Sequence, residues 1–353
     1  MSYEEAKKRF DRQEARKNMR KMIDRIKSVM IGHAIGDALG VPVEFDSREK
    51  IAENPVTDMR GFGTYPVPAG AWSDDTSMSL AALDAMSNAA WNTFDVLVNF
   101  SKWLTDAYYT PTGETYDVGK TCMRSILGFI NKYYVEGEGF IKTDSFDPCE
   151  IGLKGERDNG NGSLMRIHPF VLYAYFNKLA HFEWMAMIRT GSSLTHAHDR
   201  SLMGCYIYGY CLTELLRNPS MQTLKGAIDF ARKDLDYLPE FEHYSRIFDP
   251  NFASIPESEI KSTGYVVDTL EAALWCVLTT DNYKDCVLKA VNLGGDTDSI
   301  AAVAGGLAGA LYGLKGIPKE WMATLIKREY IERICESAAM EWYLQDPTVE
   351  TNQ

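Results

Sequence analysis

The sequence has no Cys-x-x-Cys spacing. Its seven cysteines, Cys122, Cys149, Cys205, Cys211, Cys276, Cys286 and Cys335, are odd in number and scattered. That argues against a disulfide framework and against a zinc ribbon. It also lacks a long hydrophobic run. The longest, Ile300–Leu314, is rich in Gly and Ala and falls short of the ~20 residues that span a bilayer. The opening MSYEEAKKRFDRQEARK holds no apolar signal core. Positive charge is in short supply: 37 Lys and Arg stand against 49 Asp and Glu, a net charge of −12 with His neutral. Such a chain is a poor wrapper of nucleic acid, which needs clustered Lys and Arg on its phosphates. Strand patterns are scarce, and the best, near Tyr65–Val67, is short and broken by Pro. Neither an internal repeat nor a low-complexity linker is present. The expectation is a soluble protein of the cytoplasm, a reducing compartment, with no nucleic-acid partner and no membrane.

What is present is ordinary for a globular chain: 353 residues, 45% apolar and 24% charged. A core of useful size needs no staples at this length. The first 27 residues stand apart, with ten basic side chains against five acidic ones, so the rest of the chain is more acidic than the whole. Met19, Met22, Ile23, Ile26 and Met30 recur at helical spacing, which predicts a core-facing stripe from about Asn18 onward. Residues 1–17 read as a basic arm or a solvated helix with no core of their own to join.

Helical patterns then follow at Asp74–Ala90, Trp91–Leu104, Thr121–Tyr134, Ser163–Asn177, Glu183–Ser193, Asp199–Arg217, Met221–Asp236, Val266–Thr279, Asp281–Val291, Asp298–Leu314 and Pro318–Tyr343. Irregular stretches interrupt them at Glu136–Asn161 and Tyr237–Lys261. The expectation is an all-α domain of roughly ten helices.

Two short motifs carry most of the chemistry. Trp72-Ser73-Asp74-Asp75-Thr76-Ser77 leads into an apolar-periodic run, and Gly294-Gly295-Asp296-Thr297-Asp298-Ser299 leads into another. Helix capping explains one side chain in each, because Ser and Asp accept from free N–H groups at a helix start. It does not explain paired carboxylates, which repel unless something positive lies between them. Hard divalent cations want oxygen donors of this kind. If the two helix starts face each other, they supply four carboxylates and at least two hydroxyls, enough for two Mg²⁺ or Mn²⁺ ions. Gly305, Gly306 and Gly309 in the second helix read as close-packing positions, since each otherwise costs up to ~1 kcal/mol relative to Ala.

Weaker signals accompany them. Glu44 follows Pro42 and Val43 where the chain turns out of a glycine-bearing helix, a place where a carboxylate is usually solvated. Gly160-Asn161-Gly162-Ser163 is a glycine-flanked turn feeding a helix, suited to a phosphate or to nothing more than a turn. His196 and His198 form a His-x-His pair without the further ligands zinc requires, so one capping a helix and one facing a ligand is the better reading. Asp117, in Tyr116-Asp117-Val118-Gly119, stands in a polar loop before a helix.

Taken in order, GHAIGDALGVPVEF, WSDDTS, YDVG, GNGSLMR, LTHAHD, GYVVDTL and GGDTDSIAAVAGGLAGALYG resemble the ADP-ribosylglycohydrolase family over about Ile26 to Tyr343. The resemblance implies a single orthogonal helix bundle spanning residues 26–345, with a basic extension at 1–25 and a tail at 346–353. It implies a binuclear Mg²⁺ or Mn²⁺ site held by Ser73, Asp74, Asp75, Asp296, Asp298 and Ser299. Family members often carry Thr at the positions of Ser73 and Ser299, and Ser keeps the hydroxyl. Catalytic carboxylates are expected among Asp75, Glu44 and Asp298. Gly160, Asn161, Gly162 and Ser163 resemble the loop that holds the diphosphate of ADP-ribose, His196 a ribose or phosphate contact, and Asp117 the acid facing a guanidinium leaving group. The implied reaction is hydrolysis of the bond between ADP-ribose and an arginine side chain of a modified protein. ADP-ribosyl-serine, an O-acylated ADP-ribose, or binding without catalysis are the alternatives. The family includes immunity proteins against ADP-ribosylating toxins, so residues 1–17 are further expected to block the cleft of such a toxin.

Overall fold

The structure, a computed structural model, describes residues 3–345, with side chains from Gln13 onward. The C-terminal tail at 346–353 and the side chains of the first twelve residues lie outside the described residues. The fold is all-α, as the sequence patterns predict, with fourteen α-helices among the described residues. In chain order they are α1 (Tyr3–Gly40), α2 (Arg48–Glu53), α3 (Asp74–Ala85), α4 (Thr93–Asp106), α5 (Lys120–Tyr133), α6 (His168–Phe176) and α7 (His181–Ser193). There follow α8 (Asp199–Arg217), α9 (Met221–Leu235), α10 (Val266–Leu278), α11 (Tyr283–Asn292), α12 (Thr297–Tyr312), α13 (Lys319–Thr324) and α14 (Arg328–Gln345).

Most helix starts follow from local chemistry. Asn92 caps α4 by accepting from Phe94 N–H at 3.0 Å, and Asp95 reaches back to Asn92 N–H at 2.9 Å, a reciprocal capping box. His198 caps α8 by accepting from Arg200 N–H. Three expectations need correction. The segment near Tyr65–Val67 is not a strand; the small sheet pairs Tyr134–Val135 with Gly139–Phe140 instead. Ser163–Asn177 is not one helix, because a 3₁₀ turn at Leu164–Arg166 precedes α6. Pro318–Tyr343 is two helices, α13 and α14, parted by a turn in which Lys327 has a positive φ of 50°.

The stripe predicted from Asn18 is present, with Met19, Met22 and Ile23 half-buried against the core and full burial beginning at Ile26. The helix itself does not begin there: α1 is continuous from Tyr3, so residue 25 falls within it. On α14, Glu332 and Glu336 hold Lys27 at 3.1 and 2.6 Å.

Helices α1 and α12 form the centre of the bundle. They cross at small residues spaced by four: a Cβ at Gly32 would lie 2.5 Å from Gly305 O, one at Gly36 2.0 Å from Ala301 O, and one at Gly40 2.3 Å from Asp298 Cα. Backbone meets backbone at each point, so burial of two apolar faces offsets the poor helix propensity of glycine. Buried tryptophans close the periphery with their N–H groups satisfied, Trp72 on Tyr109 O and Trp342 on Met86 O. Among the described residues no helix is long and apolar enough to cross a membrane.

Candidate active site

The close crossing of α1 and α12 brings three helix ends together. The C-terminus of α1 delivers Asp37 to the N-terminus of α3. Asp37 Oδ1 accepts from Ser73 N–H at 2.8 Å, and Oδ2 accepts from Thr76 N–H at 3.0 Å and from Thr76 Oγ1 at 2.6 Å. Asp37 therefore satisfies two of the free N–H groups at the start of α3. Ser73 Oγ accepts from Asp75 N–H at 3.3 Å, the one capping side chain the sequence predicts, so the carboxylates of Asp74 and Asp75 carry no capping duty.

Helix α12 starts opposite. Ser299 Oγ donates to Asp75 Oδ2 at 3.1 Å, and Ser73 Oγ donates to the same oxygen at 3.1 Å. Asp298 Oδ1 accepts from Ser299 N–H, and Asp296 Oδ2 accepts from Asn161 Nδ2 at 2.8 Å. The loop after α1 brings Glu44 to the same place. Glu44, Asp296 and Asp298 each offer a carboxylate oxygen within 4.8 Å of the others. Three oxygens, Glu44 Oε2, Asp75 Oδ1 and Asp298 Oδ2, are buried without a protein partner. Buried polar atoms are normally paired, so these three await something that is not protein.

The electrostatics agree. Burial, with Asp117 and Asp75 beside it, holds Asp74 well above the usual carboxylate range. Burial and the nearby Asp37 and Asp296 do the same for Asp75. Burial and Glu44 raise Asp298. Glu44 is pushed up to about 9 by burial, Asp117 and Asp296. So many like charges cannot coexist ionised without a counter-charge. An all-oxygen set of carboxylates and hydroxyls suits a hard divalent cation, and Ser73, Asp74, Asp75, Asp296, Asp298, Ser299 and Glu44 are the residues that could hold one.

The glycine turn lies beside this cluster. Asn161 N–H donates to Gly264 O at 3.0 Å, and its side-chain amide joins Asp296 to Thr269. A Cβ at Gly162 would lie 2.7 Å from Cys122 Sγ and 2.8 Å from His196, so only glycine fits. His196 is buried, its Nδ1 engaged by Thr195 Oγ1 at 2.9 Å, and burial pushes its pKa down to about 3, leaving a neutral ring. Ser163 is buried and accepts from Ser192 Oγ at 2.9 Å. A cavity of about 280 Å³ is lined by Glu44, Asp74, Asp117, Gly160, Asn161, Gly162, His196, Asp296 and Ser299, among others. Ser163 does not line it, and Ser73, Asp75 and Asp298 lie buried next to its lining residues. Asp117 adopts φ 51° and, with Glu44, is tied to Tyr65; burial raises its pKa.

Sequence reasoning missed several of these neighbours. Asp37 sits in the quoted GHAIGDALG motif but reads there as one polar residue on a small-residue face. Tyr65 hides in the segment read as a strand. Lys120 and Arg157 bring positive charge to the cavity wall, and both are exposed residues of no local pattern.

Comparison with known proteins gives the family and the fold. The ADP-ribosylglycohydrolase family model matches residues 18–348. An ADP-ribosylarginine hydrolase Tri1 of Pseudomonas putida (strain GB-1) is 32% identical over 316 residues, 89% of this chain and 77% of that protein. An ADP-ribosyl-[dinitrogen reductase] glycohydrolase of Rhodospirillum rubrum is 32% identical over 307 residues, 86% of this chain and 90% of that one. A solved structure described as an ADP-ribosylglycohydrolase-related protein complex superposes with a TM-score of 0.73 at 28% identity, covering 92% of this chain and 99% of its own.

Proposed function

The chain belongs to the ADP-ribosylglycohydrolase family, and from that premise we propose that it removes ADP-ribose from arginine side chains of modified proteins, with divalent metal at the carboxylate cluster. The observation that carries this reading is the set of three buried, unpartnered carboxylate oxygens beside a glycine turn. The names of the Pseudomonas and Rhodospirillum relatives support the arginine linkage and a protein substrate.

We propose two Mg²⁺ or Mn²⁺ ions, held by Ser73, Asp74, Asp75, Asp296, Asp298 and Ser299. Bound there, they supply a Lewis-acidic anchor for ribose hydroxyls and the counter-charge the carboxylates lack. Gly160 and Gly162 offer backbone N–H groups to the diphosphate, Asn161 holds the turn beside them through its bonds to Gly264 O, Thr269 and Asp296, Ser163 supports the turn from below, and His196 offers Nε2 to phosphate or ribose. Glu44, with one free oxygen, takes the proton of the attacking water, or Asp75, whose Oδ1 is also free, takes it instead. The water oxygen bonds to the anomeric carbon, the carbon–nitrogen bond breaks with its electron pair passing to nitrogen, and the proton taken from the water ends on the departing guanidine, which leaves as guanidinium. Carboxylates around the anomeric carbon, Asp298 among them, stabilise its developing positive charge. Asp117 faces the cationic leaving group.

The test is release of ADP-ribose from an arginine-ADP-ribosylated protein with Mg²⁺ and with EDTA. Metal-dependent release is expected. Equal release by folded Asp74→Ala and Asp296→Ala variants would remove the assignment.

A second reading concerns the basic arm. Arg16, Lys17, Arg20, Lys21 and Arg25 line one wall of a groove of about 730 Å³, whose other lining includes Leu215, Leu311 and Leu314. This charge supports docking of an acidic partner, which we propose to be an ADP-ribosyltransferase toxin whose cleft residues 1–17 block. Removal of residues 1–17, which takes away Arg16 and Lys17 of that wall, should weaken toxin binding while hydrolysis persists; unchanged affinity would end the idea. The seven cysteines are free thiols, six of them buried, which supports a cytoplasmic, reducing compartment.

A further inference from the structure

One exposed phenylalanine lines the cavity, and a second stands on the loop that braces it. Phe45 follows Glu44 directly, lines the cavity and is 69% exposed, and Phe62 is 74% exposed. Both adopt positive φ, 65° and 57°, a backbone region that is unfavourable for bulky side chains. Strain of this kind persists only where the surroundings enforce it, and it gathers at functional sites.

The enforcement is visible. Phe45 N–H donates to Gly295 O at 2.7 Å, and Phe62 N–H donates to Val67 O at 2.8 Å. The glycines flanking Phe62 are pressed onto backbone: a Cβ at Gly61 would lie 2.4 Å from Ala69 N, and one at Gly63 would lie 1.7 Å from Pro42 O. The two loops are tied to each other, Thr64 N–H to Pro42 O at 3.0 Å and Thr64 Oγ1 to Glu44 O at 2.7 Å. Phe45 and Phe62 therefore belong to one braced rim, beside Glu44 and Asp117 of the cavity lining.

We propose that Phe45 and Phe62 form an apolar docking rim for the polypeptide segment that carries the ADP-ribosylated arginine. This rests on the reaction assigned above. A cavity of about 280 Å³ admits the glycosidic end of the substrate, so the polypeptide stays outside and crosses the rim. Two outward rings there pack against an apolar residue next to the modified arginine. Exposed aromatic side chains of this kind commonly anchor protein contacts. The rim recognises the protein, and the cavity recognises the nucleotide.

The test compares two substrates, an arginine-ADP-ribosylated protein and free ADP-ribosylarginine, with the parent chain, Phe62→Ala and Phe62→Gly. Glycine at position 62 removes the ring and relieves the positive φ, so this variant keeps its fold. Both variants should raise KM for the protein substrate at least tenfold, with kcat held and the small substrate hydrolysed within twofold of the parent. Phe62→Leu should recover part of the loss. Unchanged kinetics on the protein overturn the rim. Equal loss on both substrates also overturns it, because the ring would then hold the nucleotide. A parent chain inactive on both substrates overturns the assigned reaction, and the rim with it.

Discussion

The hydroxyl of Ser299, in the first turn of α12, donates to Oδ2 of Asp75, in the first turn of α3, across 3.1 Å. Residues 224 positions apart are thereby joined at the floor of one cavity. Ser73 donates to the same oxygen, so Asp75 is aimed by two hydroxyls while its Oδ1 is left free.

Ser299→Ala should therefore weaken divalent-ion binding. Groups that orient a ligand typically account for ~10–100-fold in metal affinity. Titration calorimetry with Mn²⁺ should find a loss in that range. Circular dichroism should find the helices unchanged. Asp75→Asn should lose more than Ser299→Ala, because the charge itself goes.

Glu44 predicts a pH dependence of the metal-free protein. Burial raises its folded-state pKa to about 9, above the ordinary carboxylate value it has when unfolded. The folded state then holds a proton that the unfolded state releases as pH rises between those two values, so stability falls across that interval. In EDTA, Tm should drop between about pH 5 and 9, and Glu44→Gln should flatten the slope. Mg²⁺ should flatten it as well. A Tm that climbs over this range in EDTA contradicts the reading.

Gly36 and Gly226 should respond to alanine in opposite directions. At Gly36 the new methyl would meet Ala301 O at 2.0 Å, so α1 and α12 must part, at a cost of about 3 kcal/mol or more. At Gly226, on the exposed face of α9, nothing lies within 4 Å, and the substitution should stabilise by up to ~1 kcal/mol. Urea midpoints of the two variants check both signs.

Arg200 fastens the loop that precedes the glycine turn. It reaches Glu240 at 2.7 Å and Glu156 at 2.7 Å. Arg200→Ala should cost about 1–3 kcal/mol of stability and raise KM more than it lowers kcat. Thermal scans and steady-state kinetics read the two effects separately.

Lys120 and Arg157 are cations on the wall of a cavity crowded with carboxylates. The diphosphate needs positive charge near it. Arg157→Ala should weaken ADP-ribose binding about tenfold, with a loss that shrinks as salt is added, since exposed charges are screened. Mn²⁺ affinity should not change. Equal ADP-ribose affinity at low salt would assign the diphosphate to the glycine turn alone.

Much of the molecule is local chemistry, and the sequence by itself determined that part. Helix α8 has the boundaries its periodicity predicts, Asp199–Arg217, and α3 begins at Asp74, where the Ser-Asp-Asp run announces a helix start. The carboxylate pairs could be seen because adjacent like charges in a helix start need an explanation that capping cannot supply. The spacing of Gly305, Gly306 and Gly309 announced a close crossing without naming the helix that crosses.

Tertiary structure decided the rest, because the deciding contacts join residues far apart in the chain. Asp37 caps α3 from another helix, and no local pattern distinguishes it from a buried polar residue. Glu44 reads as a solvated carboxylate until Gly295 O and Thr64 brace its loop against α12. The turn at Lys327 interrupts a pattern that is periodic on both sides, and Gly70 O receives Ile326 N–H there, a bond that competes with continuing the helix. Local periodicity fixes where helices start and which face is apolar. Only their packing decides which charged ends meet, and in this protein the site consists of those ends.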